Sequence, residues 1–158
     1  MKFLTDAMLG RLTTYLRMCG YDTAYVLDRR SDPTDTFVRT VCQRESRKLL
    51  TRDTELAAEC PGILIESTDI DEQLRQLVRA GIDLSLAEPT RCSKCNGILA
   101  QLKPSASTPE FAPDPAERSV WQCTDCDQPY WKGSHWHDVQ ARLRRINASE
   151  TGPTGSEP

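Results

Sequence analysis

The sequence predicts an α/β fold with a mainly parallel sheet, followed by a small cysteine-containing module. Four short apolar runs in residues 1–90 are each followed by a helical pattern. This alternation is typical of parallel sheets covered by helices. Two Cys-x-x-Cys pairs then occur in residues 91–146. With 158 residues, the chain is long enough for one domain of about 90 residues and one small module.

The first strand and helix are predicted at the start of the chain. Residues 2–5 form a short apolar run that ends at Asp6. From Met8 onward, apolar residues recur at helical spacing, and Gly20 provides a natural stop for that helix.

The second unit begins with a strand predicted over residues 23–27, which are β-branched and apolar and end at Asp28. Residues 32–35 then have the form of a helix start. Asp32 is the expected capping side chain, and Pro33 is expected at the first helical position.

The third and fourth units repeat this pattern. A strand is predicted over residues 48–51, followed by Asp53 and a short helix through Glu59. A fourth strand is predicted over residues 62–66, and the last helix of the series spans residues 68–81 and ends in glycine.

Carboxylates stand at or just after the ends of three predicted strands, at Asp6, Asp28 and Asp53. In a parallel sheet the carboxyl ends of the strands meet at one edge, where ligands bind. Clustered carboxylates suit Mg²⁺ or Mn²⁺, which can orient a phosphodiester and activate water. The alternative is that each aspartate only caps the helix that follows it.

The cysteine pairs predict a metal site. Cys92, Cys95, Cys123 and Cys126 provide four thiolates, which is the ligand set of a closed, structural zinc site. The long spacing between the pairs contains residues 103–119, which are rich in Pro, Ser and Ala and are expected to form a flexible loop. The distribution is typical of a reducing compartment, where disulfides are rare.

Aromatic and basic residues follow the second pair, over residues 130–137. They can either stack on bases and contact phosphates, with Lys132 as one contact, or form the core of the module. His135 and His137 are a rival set of zinc ligands.

Charge and hydropathy argue against several other classes of protein. The chain has 20 basic and 23 acidic side chains and a net charge of -3, which argues against a protein that coats nucleic acid by overall charge. No apolar run approaches the roughly 18 residues of a membrane span. The N-terminus lacks the features of a secretory signal, so a cytoplasmic protein is expected.

Several segments together resemble a known family. They are residues 3–10 (FLTDAMLG), 16–22 (LRMCGYD), 49–53 (LLTRD), 91–97 (RCSKCNG) and the segment 123–136, with CTDC and YWKGSHW. Over residues 2–146 the chain resembles the Mut-seven C-terminal RNase domain family, in which a PIN-like nuclease domain is fused to a zinc ribbon.

The resemblance implies a three-layer PIN-like domain over residues 1–88. A zinc ribbon with a C-terminal helix would follow over residues 89–146, and residues 147–158 are expected to be a disordered tail.

The resemblance also implies metal-dependent cleavage of RNA. The ligands of a catalytic Mg²⁺ or Mn²⁺ would be Asp6, Asp28 and Asp53, and Asp69 is the nearest candidate for a fourth acid. Basic residues are candidate phosphate contacts, namely Arg11, Arg17, Arg52 and Lys132. A protein partner is also conceivable.

Two other functions remain open on sequence grounds. The first is a non-catalytic adaptor that binds nucleic acid through the ribbon and has a vestigial acidic pocket. The second is a phospho-acceptor signalling domain with Asp53 after the third strand, but the sequence lacks the adjacent acidic pair and the lysine that this function needs.

Overall fold

The main sheet has four parallel strands, with β1 and β3 at its centre. The computed structural model describes residues 1–151, and the order of the strands in this sheet is β2-β1-β3-β4. The strands are β1 (Lys2–Thr5), β2 (Asp22–Tyr25), β3 (Lys48–Thr51) and β4 (Gly62–Leu64). The predicted parallel α/β architecture is thereby confirmed.

Within residues 1–151, six helices accompany two sheets. They are α1 (Gly10–Met18), α2 (Val26–Arg29), α3 (Asp35–Glu45), α4 (Thr54–Glu59), α5 (Ile70–Arg79) and α6 (Ser134–Thr151). Alternate strand residues face opposite sides of the sheet. Phe3 and Leu50 pack with α1, α5 and α6 on one face, and Leu4 and Leu49 pack with α3 and α4 on the other. The sheet is therefore the middle of three layers.

The second strand ends earlier than its composition predicts. The strand was expected to reach residue 27, but β2 ends at Tyr25 and the chain turns into the single turn of α2. Val26 is buried in this turn, and Asp28 lies beside the guanidinium of Arg17. These tertiary contacts outweigh the β propensity of the apolar run.

Two helices begin later than predicted because a different side chain caps each of them. Thr34, not Asp32, caps α3, and its hydroxyl accepts a hydrogen bond from the Phe37 backbone N–H at 3.1 Å. Asp69 caps α5 through the Glu72 N–H at 3.1 Å. Both caps have the extended backbone that an N-cap residue requires.

A second, antiparallel sheet of three strands lies in the segment that carries the cysteine pairs. Its strands are β5 (Leu99–Gln101), β6 (Trp121–Cys123) and β7 (Pro129–Tyr130). We call residues 91–133 the cysteine module. Residues 103–119 connect β5 to β6 and contain neither helix nor strand, as their composition predicts.

The cysteine module is bound to the outer edge of β2. The Thr23 backbone N–H donates to Asn96 Oδ1 at 2.9 Å, and Arg17 Nε donates to the Thr23 carbonyl at 2.9 Å. The Asn96 amide also donates to Asp22 Oδ1 at 2.8 Å. Side chains therefore occupy both backbone groups of Thr23, and one of them belongs to the cysteine module.

The C-terminal helix packs on the larger domain, although it follows the cysteine module in sequence. Val139, Leu143 and Ile146 are buried in the same cluster as Phe3. The helix continues to Thr151, so residues 147–151 are helical, whereas a disordered tail was expected from residue 147. Residues 152–158 of that tail lie outside the described residues. Within residues 1–151, no helix is both long and apolar enough to cross a bilayer.

Truncating Leu143 tests this packing. Leu143 is 2% exposed, and we expect Leu143→Ala to lower the free energy of unfolding by about 2–5 kcal/mol, as for other buried leucines. Urea unfolding followed by circular dichroism, with zinc present, measures the change. Arg144→Ala is the control, because Arg144 is exposed on the same helix. Equal midpoints for the two variants would contradict the packing of α6 on this core.

Candidate active site and metal centre

The acidic residues after β1 and β3 lie where the chain reverses direction across the sheet. From β1 the chain passes through α1 to β2 on one side, and it then crosses to β3 on the other side. The helices that follow β1 and β3 consequently cover opposite faces. A crevice forms outside the carboxyl ends of strands at such a point, and Asp6 and Asp53 both follow these strands.

Hydrogen bonds hold the two aspartates at this edge. Asp6 Oδ1 accepts from the Ala7 N–H at 2.8 Å, and Asp6 Oδ2 accepts from the Thr51 hydroxyl at 2.6 Å. Asp53 caps α4, since its Oδ1 accepts from the N–H groups of Glu55 and Leu56. Asp53 therefore caps a helix, as the alternative interpretation has it, but capping uses only this one oxygen.

Thr51 connects the two strand ends. It is fully buried, donates to Asp6, and accepts a hydrogen bond from the Asp53 N–H at 3.0 Å. One hydroxyl thus fixes the positions of both acidic residues. The sequence prediction did not include Thr51, although a threonine at the end of a buried strand, directly before a charged pair, is a recognisable signal.

A cavity of about 380 Å³ opens at this edge, and we call it the acidic cavity. Its charged lining residues are Asp6, Asp35, Arg52 and Asp53. Asp35 is the first residue of α3 and lines the cavity from that helix. It belongs to the segment 32–35, which the sequence predicts as a helix start, and the structure adds its carboxylate to the candidate site.

Arg52 lines the acidic cavity and has an unsatisfied donor in its side chain. Its Nε–H is buried and has no hydrogen-bond acceptor among residues 1–151. Its NH2 group reaches only the Glu66 carbonyl, at 3.5 Å. Because a buried donor without a partner is costly, this arrangement is suited to an acceptor that enters from outside, such as a phosphate oxygen.

Asp28 lies away from the acidic cavity and pairs with Arg17. It lies in α2 and does not line the acidic cavity, and its Oδ2 accepts from Arg17 NH2 at 3.2 Å. Arg17 is only 4% exposed and also donates to the carbonyls of Ser93 and Lys94. Every nitrogen of this guanidinium therefore has a partner within the protein.

The other predicted phosphate contacts differ in their surroundings. Arg11 is exposed in the first turn of α1 and lines a separate cavity formed with α6. Lys132 forms an ion pair with Glu88 at 2.8 Å and lies 5.9 Å from the centre of the Trp136 ring.

The acidic cavity fits a hydrated hard cation better than an ion enclosed by protein ligands. Its carboxylate oxygens are the donors that Mg²⁺ and Mn²⁺ prefer. Within residues 1–151, however, no three acidic side chains are close enough to share one ion directly. Mg²⁺ usually retains several waters and uses one or two carboxylates together with substrate phosphates, which this arrangement allows.

The four cysteines of the two pairs form a compact cluster. Cys92, Cys95, Cys123 and Cys126 place their sulfur atoms within 4.8 Å of one another, with Cys92 to Cys126 at 3.7 Å and Cys95 to Cys123 at 3.5 Å. A tetrahedron with Zn–S bonds of about 2.3 Å has sulfur atoms about 3.8 Å apart. The cluster could therefore hold a zinc ion. It is the one group of this kind among residues 1–151, and it contains neither His135 nor His137.

Both cysteine pairs have the same turn geometry. The N–H of the residue after each pair, Asn96 or Asp127, donates to the carbonyl of the first cysteine. Both residues have positive φ, 75° and 65°, which asparagine and aspartate tolerate better than most residues. Gly97 allows the two turns to approach closely, because a Cβ at this position would lie only 2.8 Å from Cys123 Sγ.

Cys92 has the environment of a stable thiolate. Burial raises the pKa of its thiol, but hydrogen bonds from the Tyr130 hydroxyl and from backbone N–H groups outweigh this and lower the pKa to about 7. Burial instead raises the pKa of Cys19, outside the cluster, to about 12, which makes that thiol unreactive. Cys42 and Cys60 are also buried.

One of three comparisons with known proteins gave a match. Searches of curated proteins and of solved structures gave no match. A family described as the Mut7-C RNAse domain matches residues 1–143, which include the strand-end acids and all four clustered cysteines. The chain therefore belongs to the Mut7-C RNAse domain family.

Proposed function

We propose that this protein is a metal-dependent endoribonuclease with a PIN-like catalytic domain and a structural zinc ribbon. The observation that carries the proposal is the acidic cavity, which is lined by three carboxylates and by Arg52, whose Nε–H has no partner among residues 1–151. Membership of an RNAse domain family makes an RNA phosphodiester the most reasonable substrate.

Asp6 and Asp53 would hold a Mg²⁺ or Mn²⁺ ion, and Asp35, the third carboxylate of the acidic cavity, would act through water and not as a direct ligand. When bound, the ion would lower the pKa of a water molecule and neutralise charge on the phosphate. Arg52 would donate its free N–H to a phosphate oxygen. We leave Asp28 and Arg17 out of the reaction and assign them to the contact between the sheet and the cysteine module.

Hydrolysis would proceed by in-line attack of water on phosphorus. A bond forms between the water oxygen and phosphorus, and the bond from phosphorus to the departing ribose oxygen breaks. The water loses a proton, and the departing oxygen gains one. The carboxylates of the acidic cavity, Asp35 among them, are suited to orient this water, and Arg52 is suited to hold the phosphate in place.

The decisive experiment compares RNA cleavage by the zinc-loaded wild type and by Asp6→Asn/Asp53→Asn, with Mg²⁺ or Mn²⁺ added. We expect the double variant to cleave RNA about 100-fold more slowly or worse. Mutating residues that only hydrogen-bond to metal ligands already reduces metal affinity or activity about 10–100-fold. Asparagine caps helices as well as aspartate does, so the fold should survive.

Asp32→Asn is the matched control, since Asp32 is an exposed carboxylate that does not line the acidic cavity. It should cleave RNA at the wild-type rate. Equal cleavage by the wild type and the double variant would eliminate the proposal.

One observation favours a second candidate, a non-catalytic RNA-binding adaptor. Among residues 1–151 the acidic side chains are not gathered tightly enough to enclose an ion. An adaptor would bind RNA in a salt-dependent manner, without added Mg²⁺ or Mn²⁺, and would tolerate Asp53→Asn.

A further inference from the structure

A pair of adjoining cavities lies where α1, the cysteine module and α6 meet. The first has a volume of about 240 Å³, and we call it the aromatic cavity. The residues that define it are Met18, Pro89, Leu99, Tyr130, Trp131 and Trp136. None of them belongs to the acidic cavity. Its volume lies just below the range of about 300–1,000 Å³ that holds drug-sized ligands, so it suits a small, flat, apolar group.

The aromatic side chains are held in place by their neighbours. The Tyr130 hydroxyl lies 2.9 Å from Cys92 Sγ, so the cysteine cluster fixes this ring. Trp131 lies against Gly133, where a Cβ would be only 2.7 Å from the indole Nε1. Trp136 is 7% exposed, whereas Trp131 is only half-buried and presents indole surface to the cavity. A preformed aromatic surface binds with little loss of side-chain entropy.

The second cavity is polar and basic, with a volume of about 400 Å³, and we call it the basic cavity. The residues that define it are Arg11, Tyr15, His135, Asp138, Arg142 and Arg145. Three guanidinium groups therefore face one carboxylate, and His135 lines both cavities.

The positive charge of the basic cavity is only partly neutralised within the protein. Arg142 pairs with Asp71 at 2.7 Å. In the described part of the chain, no carboxylate lies within ion-pair distance of Arg11 or Arg145. The cavity therefore offers two guanidinium groups to an anion, and an aromatic cavity adjoins it at His135.

We propose that the two cavities form a subsite for one unpaired nucleotide of RNA, with the base in the aromatic cavity and a phosphate in the basic cavity. The proposal rests on the proposed function for its choice of RNA. An apolar peptide would use the first cavity but leave the second without a partner, whereas a nucleotide combines a flat ring with an anion. Base stacking on aromatic side chains accepts any base, so the subsite would recognise single-stranded character and not a sequence.

Binding can be measured separately from cleavage. The Asp6→Asn/Asp53→Asn protein, loaded with zinc and without other divalent ions, is titrated into a fluorescein-labelled, short single-stranded RNA, and anisotropy is recorded. In this background we expect Trp131→Ala to weaken binding about 10-fold, in the range of one base stack, and Trp131→Phe to restore most of it. Phe111→Ala is the control, because Phe111 is an exposed aromatic residue outside both cavities.

The phosphate contact has its own pair of variants. Arg145→Ala should weaken binding and reduce the slope of log K against log[salt] by about 1. Arg144→Ala removes the same charge from the adjacent position, which does not line the cavity, and should leave the slope unchanged. Equal slopes for the two variants would overturn the phosphate assignment.

An abasic probe tests the base contact without any change in the aromatic residues. The protein should bind an RNA with abasic positions about 10-fold more weakly than the intact RNA, because one base stack is lost. Equal binding of both probes, or no RNA binding, overturns the subsite even if wild-type protein cleaves RNA. Base-dependent binding without any cleavage by the wild type overturns the proposed function and leaves the subsite standing.

Discussion

Replacing Cys123 by serine is expected to abolish zinc binding and to unfold the cysteine module. The three strands of its sheet contain only 3, 3 and 2 residues, too few to be stable without further support. Structural zinc supplies about 10–16 kcal/mol of apparent binding energy in small modules. Zinc content and hydrogen exchange of residues 91–133 measure the loss.

A second buried cysteine provides the control for this experiment. Cys42 is 4% exposed and lies outside the cluster, so Cys42→Ser should retain one zinc per chain and normal exchange in the cysteine module. If the wild type purified without zinc, or if a chelator left exchange over β5–β7 unchanged, the structural role of the metal would be refuted.

Arg17→Met is expected to lower the free energy of unfolding by about 3 kcal/mol, or about 1 kcal/mol for each of three backbone carbonyls that lose their donor. The methionine retains an apolar stem but leaves the carbonyls of Thr23, Ser93 and Lys94 without their donor. Each buried polar group that loses its partner costs about 1–3 kcal/mol. The ion pair with Asp28 adds less, because that carboxylate is half-exposed. The urea unfolding midpoint measures the effect.

Arg11→Met separates this structural role from a contact with RNA. Arg11 is exposed on the same helix, so its replacement should change stability by no more than about 0.5 kcal/mol. We expect the two variants to show opposite phenotypes, with loss of stability for Arg17→Met and loss of RNA affinity for Arg11→Met. If Arg17→Met were as stable as the wild type but bound RNA more weakly, the result would instead support the predicted phosphate contact of Arg17.

The central strands could be predicted from the sequence because each is a short apolar run that ends at a charged residue. β1 and β3 have the predicted bounds, and Asp6 and Asp53 follow them as expected. The four-cysteine site could be predicted equally well, because each Cys-x-x-Cys pair forms a turn from neighbouring residues. Local sequence thus specified these parts of the molecule.

Other features depend on contacts between distant segments. The position of Asp28 depends on buried Arg17, and Asp35 reaches the acidic cavity only because α3 packs beside α4. The apolar stripe of the last helix predicts a buried face but not its partner, which is the core around Phe3. The order of the strands, which places the crevice outside the carboxyl ends of β1 and β3, likewise follows from tertiary packing.

The attachment of Asn96 to Thr23 has a consequence for self-association. An outermost strand with unpaired backbone groups is a template on which another chain can add a strand. Asn96 and Arg17 occupy the outward N–H and carbonyl of Thr23, in the middle of β2, as a neighbouring strand would. The metal-binding turn thereby helps to prevent the edge strand β2 from pairing with a strand of another molecule. Demetallated protein should accordingly aggregate through β2, which links the solubility of the larger domain to the supply of zinc.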